Sequence, residues 1–276
     1  PLPMARFAKT AKDFRWYHWA GGIATAGTFN CGILLGMAKG YRWYFDDEYQ
    51  RAQQFRDQYG LPTEAQRLAV FAWLAKDWDK TIGMLEDSGP NGYRQELLSG
   101  AVGTARGDVL EVGVGTGRAF EALTAAGEVR SFVGVDCLEE MLEVARPKLA
   151  DLAFPARVEA GDAHKLSFPA KSFDTVVSSL CLCSMEHPEK ALEEMARVCR
   201  PDGQILILEP GVADFWPVRF FQGYLGLVPQ PKHAWEYGWR DDLDPPALVH
   251  ASPQLELSTV RTRAMGNWYL LVAKPR

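Results

Sequence analysis

Asp108-Val109-Leu110-Glu111-Val112-Gly113-Val114-Gly115-Thr116-Gly117 is the stretch on which the reading of this chain turns. Asp108 to Val112 reads as a short buried strand. Gly113, Gly115 and Gly117 follow at alternate positions, and Arg118 to Ala126 reads as a helix closed by Gly127. A strand, a glycine turn and a helix make a ligand cradle: glycine lets backbone come close to a bound molecule, and a helix start offers free N–H groups. The dinucleotide fingerprint wants a small third residue for close helix–strand packing. Arg118 stands there, which disfavours a nicotinamide ligand. Glu111, an acid before the first glycine, fits a ligand with a positive end.

Downstream residues extend the pattern. Val133 to Asp136 reads as a second strand ending in a carboxylate. Asp136 follows Gly117 by about the 20 residues at which a Rossmann-like unit places its ribose-binding acid. Gly161-Asp162-Ala163 follows a third strand, and Phe173 to Ser179 form a fourth. Arg200-Pro201-Asp202-Gly203 makes a turn into a fifth, Gln204 to Leu208. With Asp136-Cys137-Leu138-Glu139-Glu140-Met141-Leu142, Ser172-Phe173-Asp174 and Arg197-Val198-Cys199, these landmarks run from about Asp108 to Pro210 and resemble the class I S-adenosylmethionine-dependent methyltransferases.

That resemblance implies a Rossmann-like α/β sheet of seven strands, the last antiparallel. Leu255 to Arg261 and Trp268 to Ala273 would form its closing hairpin. It implies S-adenosylmethionine as cofactor, whose sulfonium and ammonium suit Glu111. Gly113, Gly115 and Gly117 would curl under the amino-acid part. Asp136 would accept from the ribose hydroxyls; as an alternative it caps the following helix. Cys137 and Leu138 would lie near the adenine face, where packing alone explains them equally well. Asp162 would accept from the adenine amino group, and the backbone of Ala163 would read the ring nitrogen. A turn carboxylate is the competing reading of Asp162.

Composition sets outer limits. The 276 residues suit one α/β domain, here 61–276, behind an N-terminal extension, 1–60. A net charge of −5 argues against a surface that coats nucleic acid, and no nucleic-acid partner is expected. The five cysteines, Cys31, Cys137, Cys181, Cys183 and Cys199, form no C-x-x-C pair, so neither a metal site nor a disulfide framework is expected. Cys181 and Cys183 read as buried thiols alternating along a strand.

The N-terminal extension carries the second signal. Trp16 to Ala38 contains no charged residue over about 23 positions, enough to span a bilayer. Trp16, Tyr17, Trp19, Tyr41, Trp43 and Tyr44 cluster at its ends as an aromatic belt would. Gly22, Gly27, Gly32 and Gly36 would let it pack on other helices, and hence on other subunits of a membrane complex. The competing readings are a glycine-rich helix pair of a soluble protein and a buried core helix. Tyr41 to Tyr59 reads as a charged stalk helix broken at Gly60-Leu61-Pro62, and Thr63 to Gln66 as a capping box opening a helix towards Thr81.

Methyl transfer needs a base only where the acceptor must lose a proton. Ser179, Cys183, Ser184, Glu186 and His187 follow the fourth strand, where this fold places its acceptor, and none is assigned as catalytic. His187 precedes Pro188 and reads as a helix start. Between Gly211 and His250 an aromatic segment holds Phe215, Trp216, Phe220 and Phe221, which suit a membrane-surface helix, a greasy acceptor pocket or a lid packed on the sheet. The run Ser179 to Ser184 resembles membrane-bound methyltransferase-like proteins, including a mitochondrial inner-membrane branch and lipid-droplet or reticulum relatives; that resemblance implies a small hydrophobic acceptor, such as a quinone, a lipid or a small thiol, and the mitochondrial inner membrane is the expected location. The alternative is a structural or assembly subunit of a membrane complex that keeps the fold.

Overall fold

Strands separated by helices should give a parallel sheet covered on both faces, and the alternation of apolar residues decides which cover each strand serves. The computed structural model describes residues 58–83, 89–224 and 231–276. The uncharged run Trp16–Ala38 and all but the last two residues of the expected stalk lie outside the described residues. Among the described residues no helix is long and apolar enough to cross a membrane.

In chain order the elements begin with α1 (Glu64–Leu74) and, after a 3-10 turn, the short α2 (Trp78–Thr81). Then come α3 (Pro90–Ser99), β1 (Arg106–Val112), α4 (Phe120–Ala126), β2 (Glu128–Asp136), α5 (Glu139–Ala145), β3 (Ala156–Ala160) and β4 (Phe173–Ser179). The chain ends with α6 (Pro188–Val198), β5 (Cys199–Pro210), α7 (Trp216–Tyr224), α8 (Pro231–Tyr237), α9 (Pro245–Ala251), β6 (Leu255–Arg263) and β7 (Trp268–Pro275). Seven strands form one sheet in the order β3-β2-β1-β4-β5-β7-β6. The first five strands are parallel, and β7 lies antiparallel between β5 and β6, as expected.

Period-two alternation sorts the core into two halves. Leu110 and Val112, Val176, Ile205 and Ile207 face one layer, with Leu192 and Met195 of α6. Val109, Val177, Leu206 and Leu208 face the other, with Leu97 and Leu98 of α3 and Phe120 and Leu123 of α4. Strand order reverses between β1 and β4, and a crevice opens at their carboxyl ends where successive crossovers diverge.

Several local expectations hold. Thr63 and Gln66 make the reciprocal capping box, Gly127 closes α4 at φ 70°, and Pro188 occupies the first turn of α6. Others are corrected. The helix expected from Arg118 begins only at Phe120, because the glycine turn extends through Ala119. The helix expected at Tyr93–Val102 is Pro90–Ser99; Pro90 sits in its first turn, where a missing N–H costs nothing. Arg200 to Gly203 is not a turn before β5 but an irregularity inside it, the register slipping between the Phe173–Cys199 and Thr175–Gln204 pairs. Cys181 and Cys183 are not on a strand: β4 ends at Ser179, and Leu182–Ser184 form a 3-10 turn.

Candidate active site

The crevice at the switch point holds a cavity of about 140 Å³, bounded by the ends of β1, β2 and β4 and by α1. Of the expected residues, Glu111, Gly113, Gly115, Asp136, Cys137, Asp162 and Ala163 all line it. Gly117 does not. Its φ of 83° shapes the turn, and a Cβ there would run into the Phe120 ring.

The turn hangs from β2. Backbone N–H groups of Gly113 and Val114 both donate to the Val135 carbonyl, at 2.8 and 3.0 Å. Gly113 has φ 73°, and a side chain there would collide with Cys181. Gly115, at φ 52°, has open space where a Cβ would stand, at a residue that borders the cavity. Asp136 secures the other side of the turn: Oδ2 accepts from the Gly115 N–H at 2.9 Å and Oδ1 from the Leu138 N–H at 3.0 Å. Burial pushes the Asp136 carboxyl above its ordinary pKa, against the pull of those backbone donors.

Glu111 is the unusual group. It is 2% exposed, and its Oε2 is buried with no hydrogen-bond partner. Burial pushes its pKa up to about 8; Arg94 opposes the shift and Asp136 adds to it. Arg94, on α3, is itself buried and lines the cavity. Its Nε donates to Ser179 Oγ at 2.9 Å and its Nη1 to Asn91 Oδ1 at 2.7 Å. No sequence motif marked Arg94, because helix α3 contributes to the site only through packing.

Asp162 is exposed, and its Oδ1 accepts from both the His164 backbone N–H at 2.8 Å and His164 Nδ1 at 2.9 Å. The backbone donor chiefly, with the ring's help, holds its pKa below the ordinary range. This is the local cap that competed with a ligand role, and it engages Oδ1 alone. His164 also lines the cavity.

Two further contributions were not legible in the sequence. Glu64, Leu68, Phe71 and Trp78 of α1 and α2 form one wall. A polar latch fixes that wall to the glycine turn: Thr116 Oγ1 donates to Asp79 Oδ1 at 2.8 Å, and Lys148 Nζ donates to Asp79 Oδ2 at 2.5 Å and to the Thr116 carbonyl at 2.6 Å. Burial would raise the Asp79 pKa, but Lys148 and Thr116 hold it below its ordinary value. On the opposite side, fully buried Glu209 of β5 receives the N–H groups of Cys181 at 2.8 Å, Leu182 at 2.8 Å and Cys183 at 3.2 Å. These bonds fold the chain after β4 into its 3-10 turn, with Leu180 at φ 60°.

That turn decides among the candidates for a base. Ser179 and Ser184 line the cavity, with Ser179 engaged by Arg94. Glu186 and His187 do not; the His187 ring sits beside Glu189 at 3.1 Å. Burial and the Glu209 carboxylate push the Cys181 and Cys183 thiols well up, away from thiolate character. Among the described residues no group of His, Cys, Asp and Glu could hold a metal ion.

Residues 110–207 match the family model described as a methyltransferase domain. The chain is 34% identical to the phosphatidylethanolamine N-methyltransferase of Cereibacter sphaeroides, across 55% of this chain and 71% of that one. It is 36% identical to the demethylmenaquinone methyltransferase of Renibacterium salmoninarum, across 55% and 61%. It is 32% identical to the ubiquinone/menaquinone biosynthesis C-methyltransferase UbiE of Burkholderia mallei, across 51% and 58%. The match thus spans less than two thirds of the two quinone enzymes. Among solved structures, the [4+2]-cyclase SpnF superposes with a TM-score of 0.56 at 14% identity, covering 78% of this chain and 97% of that one. A chain of the complex between the Haloferax volcanii Trm112 methyltransferase activator and a methyltransferase gives 0.55 at 19%, covering 75% and 97%. These two likenesses establish the fold alone.

Proposed function

Because the chain belongs to the class I S-adenosylmethionine-dependent methyltransferases, we propose that it methylates a small hydrophobic acceptor presented at a membrane. The residues present fit the cofactor. The observation that carries this reading is the orphaned Glu111 Oε2, a buried carboxylate oxygen beside the glycine turn that needs a cationic or hydrogen-donating partner. When bound, S-adenosylmethionine supplies a methyl group already activated by its sulfonium.

The chain's own residues hold and shield. Glu111 would face the ammonium end, with Gly113 and Gly115 admitting the ligand close to backbone. Asp136 has one oxygen lone pair left on each side for the ribose hydroxyls, since each oxygen already takes one backbone donor. Asp162 and Ala163 would meet the adenine. Leu68, Phe71, Trp78, Leu180 and Met185 give the wall an apolar stretch beside its polar residues Glu64, Arg94, Ser179 and Ser184, and that stretch supports an apolar acceptor. No side chain of this chain is assigned as a base, and the rate would rest on alignment and dehydration.

The acceptor class draws support from relatives named for phosphatidylethanolamine and for quinones. Action at a membrane draws support from the uncharged run Trp16–Ala38 and its aromatic ends, and the mitochondrial inner membrane as the site draws it from the resemblance carried by Ser179 to Ser184. Docking of that run on other membrane subunits would follow from its glycines. Calorimetric titration of the full chain with S-adenosylmethionine tests the cofactor, and transfer of labelled methyl to quinols and aminophospholipids tests the acceptor. Absence of cofactor binding overturns the reading; binding with no transfer to any apolar acceptor leaves a cofactor-loaded scaffold.

A further inference from the structure

Large apolar side chains stand in solvent at one corner of the molecule. Phe215 is 55% exposed, Trp216 74%, Phe220 52% and Met265 43%. Trp216 and Phe220 are one turn apart on α7 and share a face. Phe215 and Trp216 border a single open groove with Ala264 and Met265 of the β6–β7 connection.

The connection is held in a conformation that L side chains rarely adopt. Ala264 has φ 49° and Met265 φ 57°, ahead of Gly266 at φ 86°. The backbone is anchored there, Asp214 N–H donating to the Gly266 carbonyl at 3.0 Å. Strain at this turn presents a methionine to the outside, the opposite of what core packing selects.

The register places this corner on the functional edge. Pro210 at the end of β5 pairs with Trp268 at the start of β7, and Arg263 at the end of β6 pairs with the same Trp268. The patch therefore lies at the carboxyl-end edge of the parallel strands, the edge at which the cavity lies.

We propose that Phe215, Trp216, Phe220 and Met265 form a surface that dips into the headgroup layer of a bilayer, so that an apolar acceptor dissolved there reaches the cavity from the same side. This rests on the reading of the protein as a methyltransferase acting at a membrane. Three features select lipid as the occupant. Tryptophan and phenylalanine are the side chains that settle at the headgroup boundary. Arg261, two residues before the groove residue Arg263 on β6, is exposed and long enough to carry charge to anionic headgroups, whereas Arg219 and Arg263 are paired with Asp244 and Glu96 and Asp214 lies in the groove. The uncharged run ends at Ala38, and the chain from there to Leu61 reaches at most about 80 Å when extended, which tethers the domain within range of the bilayer.

The test uses the full chain in vesicles of phosphatidylcholine and phosphatidylglycerol, with the photo-crosslinker p-benzoylphenylalanine in place of Met265. The same substitution at Glu256, at the opposite end of β6, serves as the control. Lipid adducts at position 265 at least ten times more abundant than at 256 support the proposal. Adducts to protein at 265, or no adducts above the control, overturn it. The double variant Trp216→Ser with Phe220→Ser is the second arm. It should keep the wild-type affinity for S-adenosylmethionine and raise KM at least fivefold for a membrane-dissolved acceptor, with no change for a water-soluble analogue. An equal rise for both acceptors overturns the proposal. Failure of the underlying reading shows separately, as wild-type chain that binds no cofactor while the crosslinks are still read.

Discussion

Asp136 and Gly115 are joined across the mouth of the cavity, the Asp136 Oδ2 accepting the Gly115 N–H at 2.9 Å. The acid at the tip of β2 therefore builds the glycine turn of the neighbouring strand as well as lining the cavity. Asp136→Ala should lower affinity for S-adenosylmethionine at least tenfold, and it should also destabilise the fold by about 1 kcal/mol, because two partly buried backbone donors, Gly115 and Leu138, lose their acceptor. Asp136→Asn, which keeps one acceptor oxygen, should recover most of the stability and little of the affinity. Titration calorimetry and urea unfolding on both variants separate the two roles; unchanged affinity in Asp136→Ala would refute the placement of the site.

Glu111 makes stability depend on pH in a defined direction. Its folded-state pKa is about 8 against an ordinary 4.5, so between those values the folded chain holds a proton that the unfolded chain has released. Stability then falls as pH rises through that window, by an amount on the order of 4 kcal/mol once pH passes 8. Glu111→Gln should flatten the Tm profile from pH 5 to 8 and raise Tm at pH 8. A profile identical to wild type would sink the assignment.

The same carboxyl should ionise when a cation binds beside it. Binding of S-adenosylmethionine at pH 7 should therefore release protons, seen as different apparent enthalpies in phosphate and in Tris buffer. Glu111→Gln should abolish the difference and weaken binding.

Glu209 is the internal staple of the acceptor-side wall. Glu209→Ala leaves three backbone N–H groups without their acceptor and should cost about 3 kcal/mol or more in urea unfolding. Glu209→Gln should cost less, keeping one acceptor oxygen. A loss under about 0.5 kcal/mol in the alanine variant would show the turn to be held by packing instead.

The Asp79 latch should govern exchange rather than fold. Asp79 and Lys148 are each about one-third exposed, so solvent screening limits the pair to about 1 kcal/mol. Asp79→Ala should speed cofactor release roughly fivefold in stopped-flow displacement, with little effect on Tm. Equal off-rates in variant and wild type would show that the α1 wall does not gate the cavity.

Much of this was written in the chain. Apolar β1 and its three glycines could form little else than a strand and a close-approach turn, and the alternation along β4 and β5 fixed which residues serve each half of the core. The capping box at Thr63 and Pro188 at the head of α6 are local chemistry and were read locally. What misled were residues whose local preference was overridden from afar. Arg200 to Gly203 has turn composition, yet Cys199 before it and Gln204 after it pair with β4, so the run is taken up as an irregularity inside β5, with Arg200 donating to Asp174. Cys181 and Cys183 alternate as strand residues do, yet a carboxylate 26 to 28 residues later in the chain draws their N–H groups into a turn.

The sequence by itself determined the order of strands and helices, the glycine turn and the acid that follows it, because periodicity, backbone freedom and charge spacing act between near neighbours. Only the tertiary structure decided that Arg94, Asp79, Lys148 and Glu209 belong to one site, that Glu111 keeps a buried oxygen without a partner, and that Gly117 stands behind the wall. Burial and partnership are relations between segments distant in the chain, and no local pattern encodes them.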